Sequence, residues 1–155
     1  MKNNHCKICE LIARRDAGLA PLWDNIHRTP FWDVVHSYNT SLPGWLVLVP
    51  RRHIEAVDEL TDEEAVELGV FLRRVSGALK DVVGCAKTYV MQFAESAGHT
   101  HVHFHVVPRM ADQPEERRAT NIFGYLNVSE DERVSEERMN EIARQVRLLL
   151  TSSEP

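Results

Sequence analysis

His99-Thr100-His101-Val102-His103-Phe104-His105-Val106-Val107 puts a histidine at every second position. On a strand, alternate side chains share one face and stand about 6.6 Å apart. Val102, Phe104 and Val106 then point the other way, into a core. The stretch from residue 100 to 107 therefore reads as a strand, ended by Pro108, with a row of imidazoles on one surface. Imidazole is a nucleophile, a general acid–base and a metal ligand near neutral pH. Adjacent rings also stabilise negative charge developing on phosphate oxygens. The strict alternation with large apolar residues weighs against an ordinary His-rich surface strand.

Working outward, residues 86–93 read as the preceding strand, joined to the histidine strand through Ala97-Gly98. Upstream, Thr61-Asp62-Glu63-Glu64 has the form of a helix start, with Thr61 as N-cap and Glu64 three residues later. Ala65, Leu68, Phe71, Leu72, Val75 and Leu79 follow at helical spacing, and Gly84 stops the helix after residue 83. Residues 31–35 and 45–49 read as strands, the second closed by Pro50. Between them, residues 37–44 form a turn-rich loop holding Asn39, Pro43 and Gly44. Residues 8–15 read as a short helix. A charged loop spans 111–120, and Ser129 or Ser135 opens a last helix over about 130–150. Strands and helices mix without regular βαβ alternation, which favours an α+β fold with a mostly antiparallel sheet.

The chain has 155 residues, 43% hydrophobic and 26% charged, which suits one domain over residues 1–155 with its own core. Its net charge of −5 opposes a general nucleic-acid binder, which needs basic excess, but allows a locally cationic site for a small anion. No apolar run approaches the ~20 residues needed to span a bilayer, and the polar start does not read as a signal peptide. The expectation is a cytoplasmic protein that does not insert in a membrane. Cys6-Lys7-Ile8-Cys9 suggests metal or redox chemistry more than a structural disulfide; no thioredoxin-like pattern surrounds it. Cys85 reads as a small core residue.

The run His101-Val102-His103-Phe104-His105-Val106-Val107 resembles the signature of the histidine-triad (HIT) family, His-φ-His-φ-His-φ-φ with φ apolar. Leu42-Pro43-Gly44, the apolar strand after it and Pro50-Arg51-Arg52-His53 resemble that family's second hallmark. The resemblance spans about residues 5–110. It implies a HIT-like fold: an antiparallel sheet of about five strands with two main helices, commonly paired as a homodimer.

The resemblance also implies roles. His103 would attack the α-phosphorus of a nucleotide, and His105 would contact the α-phosphate. Gln92 would lie near the bridging or leaving-group oxygen. Asn39 would bind ribose or phosphate, or simply form a turn. Relatives carry Ala-Gly-Gln before the triad. Here Ala97-Gly98 runs straight into His99-Thr100, so His99 either fills part of that phosphate contact or faces solvent. Zinc-containing branches of the superfamily pair a Cys-x-x-Cys with two histidines, which maps onto Cys6, Cys9, His53 and His101; His5 is a substitute ligand. The implied substrate is a nucleotide, adenosine-containing by preference: a phosphoramidate or a dinucleoside polyphosphate. Hydrolysis, transfer to phosphate, and zinc-stabilised nucleotide or partner binding without turnover are the three readings. Trp23, Trp32 and Trp45 could stack on a base but read better as core or interface residues. Arg51-Arg52 reads as a solvated strand end. The apolar Ile122-Phe123-Gly124-Tyr125-Leu126 packs on the core or lids the site.

Overall fold

The computed structural model of the chain describes residues 5–152; the first four and last three residues of the expected 1–155 domain lie outside it. Five strands form one antiparallel sheet in the order β1-β2-β3-β5-β4. They are β1 (His27–Arg28), β2 (Trp32–His36), β3 (Leu46–Pro50), β4 (Lys87–Met91) and β5 (Phe104–Arg109). Three α-helices accompany them among the described residues: α1 (Lys7–Asp16), α2 (Asp62–Val83) and α3 (Glu136–Ser152). The expected α+β architecture is met.

The period-2 alternation of the strands divides the core. Trp32, Val34, Leu46, Leu48 and Val106 face α2 and α3, whose Phe71, Val75, Leu79, Ile142 and Val146 complete the larger layer. Val35, Val47, Val49 and Val107 face the other way, where Ile8 and Ile12 of α1, Trp45 and Ile122 form a smaller cluster. This second face carries His105.

α2 begins as the sequence suggests. The Thr61 hydroxyl accepts from Glu64 N–H at 3.1 Å, and Thr61 N–H donates back to Glu64 Oε1 at 2.8 Å. Gly84 ends the helix in the left-handed region at φ 69°. Ser135, not Ser129, opens α3: its hydroxyl accepts from Arg138 N–H at 3.2 Å.

The histidine segment differs from its expectation at both ends. β5 starts at Phe104, not Thr100, because its neighbours give out. β4 pairs no further than Met91 opposite His105, and β3 no further than Leu48 opposite Phe104. His101 and His103 lead into the strand ahead of the ladder. At the other end β5 runs through Pro108, which pairs with Thr88. β3 pairs β5 only from Phe104 to Val106, so Pro108 meets a partner on one side alone. A missing N–H is tolerated at such an edge-like position.

Buried charge anchors α1 to the sheet. Arg15 donates to Asp33 Oδ2 at 2.8 Å and to Asp24 Oδ1 at 2.9 Å, and all three side chains are buried. Arg28 donates to the second oxygen of Asp33 at 2.7 Å. Buried ions persist only when paired in this way.

Candidate active site and adjoining metal cluster

The second face of the sheet is not fully covered. A cavity of about 340 Å³ opens there, and His99, His103, His105 and Asn39 all line it. Four expected site residues thus meet in one place. Gln92 does not line the cavity; it sits half-buried just past the end of β4.

The tautomers of the two central histidines follow from their partners. His103 Nδ1 lies 2.8 Å from the His101 carbonyl. A carbonyl only accepts, so Nδ1 carries the proton and the Nε2 lone pair is free. His105 is set the opposite way. The Trp45 indole N–H, a donor only, lies 3.0 Å from His105 Nδ1. Nδ1 therefore accepts, and Nε2 carries the proton. The two rings sit 5.0 Å apart, centroid to centroid, nearly perpendicular. One presents a lone pair and its neighbour presents a donor. Burial lowers the His103 pKa, and it pushes His105 down to about 4.

Sequence reasoning missed several members of this site. Phe123 packs edge-on to His105 at 5.9 Å and touches Trp45 and Phe93 at 5.8 and 5.6 Å. The apolar segment at 122–126 thus packs on the core through Ile122 and borders the cavity through Phe123 and Leu126. Ser37 donates to Asn39 Oδ1 at 3.0 Å, and Asn39 donates to Asn127 at 2.6 Å. Asn127 holds φ at 56°. It is the one residue of this trio brought in from the far end of the chain. Trp32 and Trp45 are fully buried, so neither is free to stack on a base.

His36 shapes the turn that follows. Fully buried, it donates from Nδ1 to the Ser37 carbonyl and accepts Gly44 N–H at Nε2, at 3.0 Å. Gly44 holds φ at +91°, and a Cβ there would meet Val83, Leu79 and Pro108 at 3.2–3.3 Å. A side chain there would be strained at that φ and would crowd α2 and β5.

Beside the cavity, Cys6, Cys9, His53 and His101 bring one ligand atom each within 4.8 Å of one another. Cys9 Sγ lies 3.3 Å from His53 Nδ1 and 3.5 Å from His101 Nδ1; Cys6 Sγ lies 3.8 Å from His101 Nδ1. Bonds of about 2.0–2.3 Å to a tetrahedral zinc imply ligand–ligand edges of about 3.3–3.8 Å. The spacing fits. His101 is fully buried and its Nε2 lies 2.8 Å from the Pro50 carbonyl. That contact fixes the proton on Nε2 and leaves the Nδ1 lone pair toward the sulfurs, the usual outer-shell arrangement. Burial holds His101 near 4 and, with Cys6 beside it, lifts the Cys9 thiol to about 11. His5 instead faces Glu10 at 3.4 Å.

The HIT-domain family model matches residues 26–112, more than half of the chain. The chain belongs to the HIT family. A bis(5′-adenosyl)-triphosphatase from Dictyostelium discoideum is 35% identical to this HIT protein over 71 residues, 44% of this chain and 48% of the relative. An AP-4-A phosphorylase from Mycobacterium tuberculosis is 35% identical over 79 residues, 48% of this chain and 39% of the relative. The chain thus spans about half the length of these relatives or less. A HIT-like protein of Bartonella henselae matches the fold with a TM-score of 0.70 at 18% identity, over 95% of this chain and 97% of its own. A zinc-bound histidine-triad protein of Mycobacterium smegmatis matches with a TM-score of 0.66 at 18% identity, over 96% of this chain and 97% of its own.

Proposed function

We propose that this HIT protein is an enzyme that breaks the α-phosphate linkage of adenosine nucleotides through a covalent nucleotidyl-His103 intermediate. The opposed tautomers of His103 and His105 carry the reading. The free Nε2 lone pair of His103 attacks phosphorus, forming an N–P bond as the bond to the leaving group breaks. The Nε2–H of His105 donates to a phosphate oxygen where charge accumulates. Water then attacks the phosphorus, an O–P bond forming as the N–P bond breaks, which releases the nucleotide and restores the ring. Asn39 and Ser37, beside the cavity, offer polar groups to a ribose, and His99 reaches the same cavity from the pre-triad turn. Gln92 reaches the leaving-group oxygen only if the turn after β4 moves toward the cavity.

The relatives named above act on adenosine polyphosphates by hydrolysis or by phosphorolysis, and both outcomes use the same first step. The test is AMP or ADP release from adenosine 5′-phosphoramidate, diadenosine triphosphate and diadenosine tetraphosphate, with and without inorganic phosphate. Turnover independent of phosphate is expected, which marks a hydrolase. Turnover only with phosphate would make the protein a phosphorylase. Nucleotide binding with no turnover would leave a binding protein.

Trp45 sets the His105 tautomer, so it acts on rate more than on affinity. Trp45→Phe keeps most of the buried volume and removes the indole N–H. Loss of a preorganised donor costs about 10²–10³ in kcat. A drop of about tenfold to a hundredfold in kcat is expected, because the tautomer is randomised rather than lost. Nucleotide affinity should hold, and an unchanged kcat would sink this role.

The Cys6, Cys9, His53 and His101 cluster is a structural zinc site in this proposal, closed to substrate. The protein is a homodimer in which β4 joins the β4 of a second copy. β4 is the outer strand of the sheet, and its Val90 is 46% exposed. Such an edge invites pairing. Light scattering should give twice the 17.8 kDa chain mass; a monomer at micromolar concentration would refute the pairing.

A further inference from the structure

The catalytic cavity has a polar far wall that the chemistry at His103 does not use. Arg15 and Asp24 line it, together with the apolar side chains of Ile8, Leu11, Val35 and Val49. The strand register places this wall relative to the histidines. His105 pairs with Val47, and Val47 pairs with Val35. Two inter-strand steps of about 4.8 Å therefore separate His105 from Val35, roughly 10 Å in all. Asp33, which holds Arg15, lies two residues further along the same face of β2. From phosphorus to the far edge of its base, a nucleoside monophosphate spans a comparable length.

The Asp24 carboxylate is incompletely paired. It is 2% exposed. Its Oδ1 accepts from Arg15 at 2.9 Å, while Oδ2 is buried and has no hydrogen-bond partner. Arg15 reaches only the other oxygen: its NH1 donates to Oδ1 and to the Asp24 carbonyl, and its Nε donates to Asp33 Oδ2. A buried acceptor left unpaired is costly, and native proteins rarely keep one. A ligand that brings an N–H to this wall would satisfy it once the carboxyl turns Oδ2 toward the cavity that Asp24 lines.

We infer that Asp24 is a specificity residue of this cavity, its Oδ2 accepting a hydrogen bond from the exocyclic amine on the far edge of a purine. The inference rests on the nucleotide reading proposed above. The apolar side chains between the histidines and Asp24 clamp the faces of the ring and leave its edge to the carboxylate. An amino purine presents a donor there. A purine without that amine presents no donor there and leaves the buried acceptor unpaired. Sites that hydrogen-bond a substrate group reject analogues lacking it far more strongly than apolar pockets reject a missing methylene.

Burial lifts the Asp24 carboxyl to about 6, so it is ionised at pH 8, where the test is run. Calorimetry on the full chain would compare AMP with purine riboside 5′-monophosphate, which lacks only the 6-amino group. Wild type should bind AMP at least tenfold more tightly. Asp24→Asn keeps an oxygen for Arg15 and puts an amide N–H₂ in the place of Oδ2. Its ratio of the two affinities should fall to one or below, in protein whose thermal transition shows it folded. Should D24N fail to fold, the wild-type ratio decides by itself. Equal binding of AMP and the unsubstituted purine by wild type, or an unchanged ratio in folded D24N, would overturn the role of Asp24 and leave the nucleotide site standing. Failure of any nucleotide to bind would overturn both.

Discussion

His103→Ala is expected to lower AMP release by at least about a thousandfold while leaving AMP affinity within a few-fold of wild type. The physical case lies in the second partner of the ring. The His101 carbonyl holds the His103 Nδ1 proton at 2.8 Å, so the lone pair at Nε2 is aimed rather than shared. Without the ring no N–P bond forms, and only slow direct attack by water remains. The neighbouring His105 cannot substitute, because its Nδ1 is occupied by the Trp45 indole at 3.0 Å and its Nε2 holds a proton. Rapid acid-free quenching of wild type with radiolabelled substrate should trap a nucleotide on the protein that survives alkali and is lost in acid, as a phosphoramidate behaves. The alanine variant should trap none. If the variant kept more than about a tenth of wild-type turnover, the covalent route would be wrong and His103 would be reduced to a binding residue.

How far this site could be read from the chain depends on the range of the interaction concerned. The alternation of histidines with Val102, Phe104 and Val106 is local, and it placed His103 and His105 on one face correctly. The end of the strand is not local. It depends on where β3 and β4 stop pairing, so Thr100 and Pro108 misled as boundaries. β1, only two residues long, exists because Val34 and Asp33 offer it a ladder, and nothing in His27-Arg28 announces a strand. The capping box at Thr61 was legible because both of its hydrogen bonds lie within four residues. The Arg15, Asp24 and Asp33 network was not, since each looks like an ordinary surface charge until folding buries all three. Trp45 read as core, as it is, but its indole N–H meets His105 across 60 positions, and no spacing rule anticipates that. Gln92 was carried over from a resemblance whose pre-triad turn is shorter here. Ala94, in the left-handed region at φ 56°, follows Gln92 in that rebuilt turn.

Removing metal is expected to cost this protein both stability and rate. The purified chain should carry about one zinc, and exhaustive chelation should lower its melting temperature by more than about 10 °C. A domain of this size shifts roughly 2–4 °C per kcal/mol, so the expected loss is several kcal/mol. The site joins three distant parts of the chain: the start of α1, the loop after β3 and the lead-in to β5. Cys9 reaches His53 across 44 positions and His101 across 92, and constraints that close long loops remove the most freedom from the unfolded chain. Without an ion the two thiols and the buried His101 face each other with unspent lone pairs. Rate should fall for a separate reason. The carbonyl that aims His103 belongs to His101 itself, and a misplacement of about 1 Å at a reacting group can cost a hundredfold. Cys9→Ser should reproduce the chelated state, losing zinc, melting temperature and turnover together. Added zinc should restore the chelated wild type but not the variant. A metal-free protein of unchanged melting temperature would refute a structural zinc, and one that melted lower yet turned over normally would show that His101 holds its carbonyl in place through Pro50 alone.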